Sequence, residues 1–475
     1  MVRIACNSNE ELRGVMLENS LSAQIKVIVL IVIILIAGGV YQYSFSHSGD
    51  EASSHNKAKA GEILYTHVVT ESIGKIAIRM ELPGESRYSD GAPIVVMAST
   101  WFVDKYDKEY APFHLEHDPT VIGAISITHL WPGKTDPETK IHSEGMYDYG
   151  GPDSIKALRD TILFAAGKKP NIDGLYINDL SEITPFTSNL GLYASSHAGV
   201  VATNVLAYYA DELSCVKYFV GRENPTRDEM YALEIGHFTD HRKPVENPYY
   251  EPEGYTGTEI SVNYSSVGWT ENDDYPEGIP YFQVEEGTDY VLSGHGPHMM
   301  EKRYFSRGLT NALYDNGVFS TETWPADLAT PEETIEFWPY RITVNNYLPI
   351  GEHLPNLAIM LVFARDDHVQ SAPDKPHIHQ AYDGFNGTAN LWVRMNADNV
   401  YFRALNGSID QSFPENPANL EPKNWNDMRS WGYPAEYGSQ FYSKTGSYAG
   451  IAEMADRTQD NQWVDDLDDV LYSFG

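Results

Sequence analysis

The sequence predicts a mostly parallel α/β sheet with helices on both faces, interrupted by a large insertion and preceded by one membrane-spanning helix. Three observations carry that expectation. Short apolar runs of buried-strand type, such as Pro93–Ala98, alternate with segments of helical period between Ile63 and Val220. The alternation stops at Gly221 and resumes at Asn356. An uncharged run dense in Ile, Val and Leu, Val27–Tyr43, lies close to the N-terminus.

At ~1.5 Å per residue, Val27–Tyr43 just reaches the lower limit for crossing a bilayer as a helix. Lys26 precedes the run, and Asp50 and Glu51 follow it. That asymmetry puts residues 1–26 in the cytoplasm and the bulk of the chain outside the cell, anchored in the cell membrane. Ala37-Gly38-Gly39 is an indifferent cleavage site, so residues 27–43 read as an uncleaved signal anchor. Residues 44–61, rich in Ser, His, Ala and Lys without a hydrophobic pattern, read as a flexible linker. Cys215 is the single cysteine beyond it, so no disulfide forms there, and Cys215 reads as a small buried apolar residue. Asn-x-Ser/Thr triplets at Asn263, Asn386 and Asn406 are compatible with glycosylation outside the membrane. Asp and Glu number 67 against 33 Lys and Arg, a formal charge of −34. Such a surface repels nucleic acid and anionic headgroups, which excludes both as partners.

Residues 62–220 read as the first part of the core. Ile63–Val69 and Lys75–Glu81 form an antiparallel pair with Ile76, Ile78 and Met80 on one face. Pro93–Ala98 and Val121–His129 are continuous apolar runs of central-strand type. Gly151-Pro152-Asp153 opens a helix whose Ile155, Leu158, Ile162 and Ala165 share a face, and Gly167 ends it. Asn189–Ala194 is the next strand, and Gly199–Ala210 carries Val200, Val201, Val205, Leu206 and Tyr209 at helical spacing. Ser214–Val220 is the strand after that.

A chain that turns straight from a buried strand into a helix needs small residues two before and two after the apex. Ala194-Ser195-Ser196-His197-Ala198-Gly199 meets that need, with Ser196 at the apex. The stretch resembles the nucleophile elbow of the α/β-hydrolases, G-x-S-x-G, with alanine in place of both outer glycines. The resemblance implies an α/β-hydrolase-like fold of the serine esterase and prolyl-oligopeptidase kind over roughly Ile63–Arg403. It also implies Ser196 as nucleophile. The His197 backbone N–H, with one from Ser99–Trp101 centred on Thr100, would then form the oxyanion hole.

Residues 221–355, rich in Tyr, Pro, Gly and Glu, fall where enzymes of this kind carry a cap, and read as an inserted lid. Its Tyr249, Tyr250, Tyr255, Trp269, Tyr281 and Phe282 either line a substrate cleft or, for the most part, form the lid's own small core. The second part of the core, residues 356–403, begins with the strand Asn356–Ala364 and runs into Arg365-Asp366-Asp367-His368. This resembles the stretch that holds the family's triad acid; Asp367 aligns best and Asp366 is the near alternative. The family's histidine follows the next strand, here Asn390–Met395. Asn396-Ala397-Asp398-Asn399 stands there instead, and no histidine occurs after His379. His377, near a helix start beyond the acid, is the preferred base. His379, His368, His197 and the insertion's His237, His241, His295 and His298 stay open as alternatives.

No metal and no cofactor are expected. His237 with His241 and His295 with His298 lack the glutamate that would complete a metalloprotease helix. Asn272-Asp273-Asp274 and the Asp465–Asp469 tail lack calcium-loop spacing. Residues 404–475 form a C-terminal extension, with a helix near Tyr448–Asp456 that wraps over the sheet or mediates assembly. The function that follows is a membrane-anchored extracellular serine hydrolase acting on an ester or amide of a small-molecule or peptide substrate. The alternative, favoured by the missing histidine, is a surface binding or structural protein that kept the fold and lost the base.

Overall fold

A computed structural model describes residues 57–98, 111–113, 118–226, 234–238, 244–256, 259–292, 298–299, 302–362, 376–388, 390–395 and 438–463. The expected membrane span, Val27–Tyr43, lies outside them; among the described residues no helix is long and apolar enough to cross a membrane.

Eight strands form one sheet: β1 (Ile63–Thr70), β2 (Gly74–Glu81), β3 (Ala92–Ala98), β4 (Ile125–His129), β5 (Pro185–Ser195), β6 (Val216–Arg222), β7 (Ala358–Val362) and β8 (Trp392–Met395). Their spatial order is β1-β2-β4-β3-β5-β6-β7-β8. β1 with β2 and β2 with β4 run antiparallel, and every other neighbouring pair is parallel. The sheet is therefore mostly parallel, as the continuous apolar runs require of strands buried on both faces.

Alternation along each strand sorts the core in two. Ile94, Val96, Ile127, Leu192, Phe219 and Ile359 face α1 (Pro152–Ala165), α2 (Ala198–Tyr208), α3 (Tyr347–His353) and α4 (Pro376–Phe385). Val95, Met97, Tyr193, Val220, Met360 and Val362 face the other way, onto Ile451, Ala452, Met454 and Ala455 of α5 (Gly438–Asp460). α1 begins where expected, with Pro152 in its first turn. The cap residue Gly151 has no side chain, so the Asp148 carboxylate reaches forward and accepts the N–H groups of Asp153 and Ser154. Ile155, Leu158, Ile162 and Ala165 are all buried.

Two expectations change. The strand read over Val121–His129 begins only at Ile125, because Pro119–Ile122 is a 3-10 turn. Asp118 caps it, Pro119 starts it, and Gly123 ends it at φ 80°. Cys215 is half-buried rather than buried.

Between β6 and β7 the chain builds a separate core. Val267, Ile279, Phe282, Phe305, Leu309 and Leu313 pack around a three-stranded antiparallel ribbon and the helix Arg307–Asp315. Phe282 is fully buried, and Tyr249 and Trp269 are half-buried against this cluster. Tyr250 packs on Ile235 instead. Four of the aromatic residues singled out in the sequence thus stabilise the insertion itself. From Tyr340 onward the insertion returns to the main core, where Val344, Tyr347, Ile350 and Leu354 join the helical face.

The helix read near Tyr448–Asp456 is longer, Gly438–Asp460, and lies on the sheet. Gly450 lets it approach closely: a Cβ there would sit 3.3 Å from Met360 Cγ and 3.4 Å from Val220 Cγ1. Tyr193 Oη donates to Ser447 Oγ at 3.1 Å, and Asn189 Nδ2 donates to the Ala455 carbonyl at 2.9 Å. Arg394 of β8 pairs with Glu453.

Candidate active site

β5 is central and parallel to both neighbours. It ends at Ser195, whose partner across the ladder is Arg222 at the end of β6. The next residue, Ser196, has φ 53°, left-handed backbone that a non-glycine residue adopts at a cost of roughly 1–3 kcal/mol. Hydrogen bonds hold it there. The Ser196 N–H donates to the Arg222 carbonyl at 2.8 Å, and the Gly199 N–H donates to the Ser196 carbonyl at 2.9 Å. α2 starts two residues later, at Ala198, so strand becomes helix through a single reversed residue. Ala194 and Ala198 are fully buried on either side, which is why small side chains stand there. Ser196 and His197 are half-buried. The His197 N–H belongs to the first turn of α2, where the helix dipole favours negative charge.

The exit of β6 lies beside this turn and was not singled out in the sequence. Arg222, Glu223 and Asn224 are all buried. Arg222 Nη1 donates to Ser195 Oγ at 2.9 Å. Glu223 is left-handed too, at φ 50°, and its N–H donates to the carbonyl of Val362, the last residue of β7. Asn224 Nδ2 lies 3.0 Å from the Ala194 carbonyl, 3.0 Å from the Ser196 carbonyl and 3.1 Å from the Arg222 carbonyl. Its amide occupies a slot between two glycines. A Cβ on Gly199 would sit 2.2 Å from Asn224 Cγ, and one on Gly221 would sit 2.1 Å from Asn224 Oδ1. The signal that was available is three polar residues directly after an apolar strand, at the carboxyl edge where parallel sheets place their ligands.

His377 is buried in the first turn of α4, one turn before Gln380. Thr226 Oγ1 donates to Gln380 Oε1 at 2.6 Å, two residues after Asn224. One short segment, Arg222–Thr226, therefore touches both the Ser196 turn and the helix that carries His377. No described hydrogen bond joins Ser196 to His377 or to His197. Thr100, Asp366, Asp367, His368, His241 and His295 lie outside the described residues. His379, His237 and His298 are described by their backbone alone, His379 in α4 and the other two in short strands of the insertion. At the end of β4, His129 is fully buried edge-on to Trp131, with ring centroids 4.4 Å apart. Burial lowers its pKa to about 3, which keeps the ring neutral. Among the described residues no three His, Cys, Asp or Glu side chains converge as metal ligands would.

No family model matches the chain, and no curated protein matches it. Among solved structures, an esterase of Pyrobaculum calidifontis superposes over 37% of this chain and 48% of its own, with TM-score 0.22 and 15% identity. An esterase of Pyrococcus furiosus superposes over 70% of this chain and 81% of its own, with TM-score 0.34 and 11% identity. A puromycin hydrolase superposes over 70% of this chain and 35% of its own, with TM-score 0.34 and 10% identity. The chain spans about half the length of the Pyrobaculum esterase.

Proposed function

We propose that this chain is a serine hydrolase of the α/β-hydrolase kind, held at the outer surface of the cell membrane by Val27–Tyr43 and cleaving an ester or amide bond. The observation that carries the reading is Ser196 itself, left-handed at the carboxyl end of a central parallel strand and at the start of a helix. Strain of that kind at a sharp strand-to-helix turn is what lifts a nucleophile above a sheet.

In this reading Ser196 Oγ attacks the carbonyl carbon and passes its proton to His377. Asp367 holds the imidazole in the right tautomer and stabilises the imidazolium. The oxygen of the tetrahedral intermediate takes hydrogen bonds from the backbone N–H groups of His197 and Thr100. Collapse expels the leaving group with the proton from His377, and water then cleaves the acyl-serine by the same route reversed. The Thr226–Gln380 bond, which ties the helix of His377 to the segment beside the elbow, supports His377 over histidines elsewhere in the chain.

A second reading, a surface binding protein that has lost the base, draws on the absence of any histidine after β8. Labelling the full-length protein in membranes with a fluorophosphonate separates the two. The hydrolase reading expects labelling of wild type that vanishes in Ser196→Ala and falls at least ~10³-fold in His377→Ala and Asp367→Asn. An unlabelled, cooperatively folded wild type would give the molecule to the second reading.

A further inference from the structure

We propose that Asn224 is a positioning residue for the oxyanion hole, acting through the Ser196–His197 peptide bond; the inference rests on the hydrolase reading above. A peptide group is planar and trans, so the carbonyl of Ser196 and the N–H of His197 point in opposite directions within one rigid plane. Whatever fixes the carbonyl therefore aims the N–H. Two donors fix it: the Gly199 N–H at 2.9 Å, which any helix start supplies, and Asn224 Nδ2 at 3.0 Å, which only this side chain supplies.

The same amide nitrogen reaches the Ala194 and Arg222 carbonyls, at 3.0 and 3.1 Å, so it bridges both sides of the turn and anchors them to β6. These bonds offset the cost of the left-handed Ser196, at φ 53°. The slot is shaped for this group. Gly199 and Gly221 each lie where a Cβ would collide with the Asn224 side chain, at 2.2 and 2.1 Å. Two glycines on different elements thus make room for one buried amide. An aspartate of the same shape would present oxygen to three carbonyl oxygens and repel all of them. An alanine would leave the carbonyls of Ala194, Ser196 and Arg222 short of a donor.

The test uses the full-length protein, with Asn224→Asp, Asn224→Ala and Ser196→Ala beside wild type. Three quantities are read: the second-order rate of fluorophosphonate labelling, kcat and KM on p-nitrophenyl acetate, and hydrogen exchange of the peptide spanning residues 194–200. The expected result for the Asn224 variants is labelling slowed ~10²-fold, the scale of losing one oxyanion donor. A kcat reduced with KM little changed, and faster exchange confined to the elbow peptide, should accompany it. A merely structural role would accelerate exchange throughout the sheet and leave the kcat to KM split unpatterned. Gly221→Ala, which crowds Asn224 Oδ1 without removing the amide, is the second variant should the first two fail to fold, and it too should slow labelling. Labelling of Asn224→Asp or of folded Gly221→Ala at the wild-type rate would overturn the inference and leave the hydrolase reading standing. An unlabelled wild type would overturn both.

Discussion

The two faces of the sheet are closed in different ways. Four helices, α1 to α4, cover one face, and α2 among them follows directly on β5, the strand that it packs against. Among the described residues the other is covered by α5, with Ile122 of the 3-10 turn beside it, and α5 begins at Gly438, far past the end of β8 at Met395. The first face is filled by large aliphatic side chains. The second relies on close approach: Gly450, Ala452 and Ala455 bring the helix backbone down onto β6 and β7, and buried polar bonds from Tyr193 and Asn189 fix its position. A helix that lies that near gains most from packing, because dispersion falls steeply with distance.

If the faces are equal partners in one core, equal truncations on either side should cost alike. Ile162→Ala on α1 and Ile451→Ala on α5, both fully buried, should each lower stability by about 2–5 kcal/mol in urea or thermal unfolding. An unmoved transition for Ile451→Ala alone would demote α5 to a loosely docked appendage.

A second test separates the faces by acid. His129 belongs to the helical side, and burial lowers its pKa to about 3 against 6.5 in an unfolded chain. Between those values the unfolded ring takes up a proton that the folded ring refuses. Falling pH therefore favours unfolding, from about 6.5 down to about 3, by up to ~1.4 kcal/mol per pH unit. His129→Leu should flatten that part of the stability–pH curve. A curve with the same slope in the variant would show that the helical face is not as dry as its packing suggests.

The smallest effect sharpens the polar side. Tyr193→Phe removes the hydroxyl that donates to Ser447 and should cost about 0.5–1.5 kcal/mol without altering labelling at Ser196. A loss of labelling rate in this variant would mean that α5 steadies the elbow through β5 as well as covering it.

What was legible in the sequence follows from the same contrast. Strands buried on both faces must be apolar throughout, so Pro93–Ala98 and Asn189–Ala194 read directly, and β3 and β5 run through them. The turn at Ser196 read because its constraint is local: one residue reverses, and its neighbours must be small. α5 read only in part, because the residues that touch the sheet include Ser447, Gly450, Ala452 and Ala455, with Ile451 and Met454 the large apolar ones. A stripe of small residues leaves little hydrophobic period to detect. Asn224 did not read at all. A lone asparagine after a strand looks like any turn residue, and its three carbonyls become visible only once Ala194, Ser196 and Arg222 are brought together in space.

The remoteness of α5 sets a schedule for synthesis. A ribosome that has finished β8 has delivered every described strand of the sheet, yet Val95, Met97, Val220 and Met360 do not meet α5 until Gly438–Asp460 emerges. At roughly 5–20 residues per second those four side chains wait for seconds before α5 can reach them. By the same logic, a premature stop just before Gly438 would leave Val95, Met97, Val220 and Met360 without the α5 residues they pack on. Apolar surface newly exposed in that way favours aggregation.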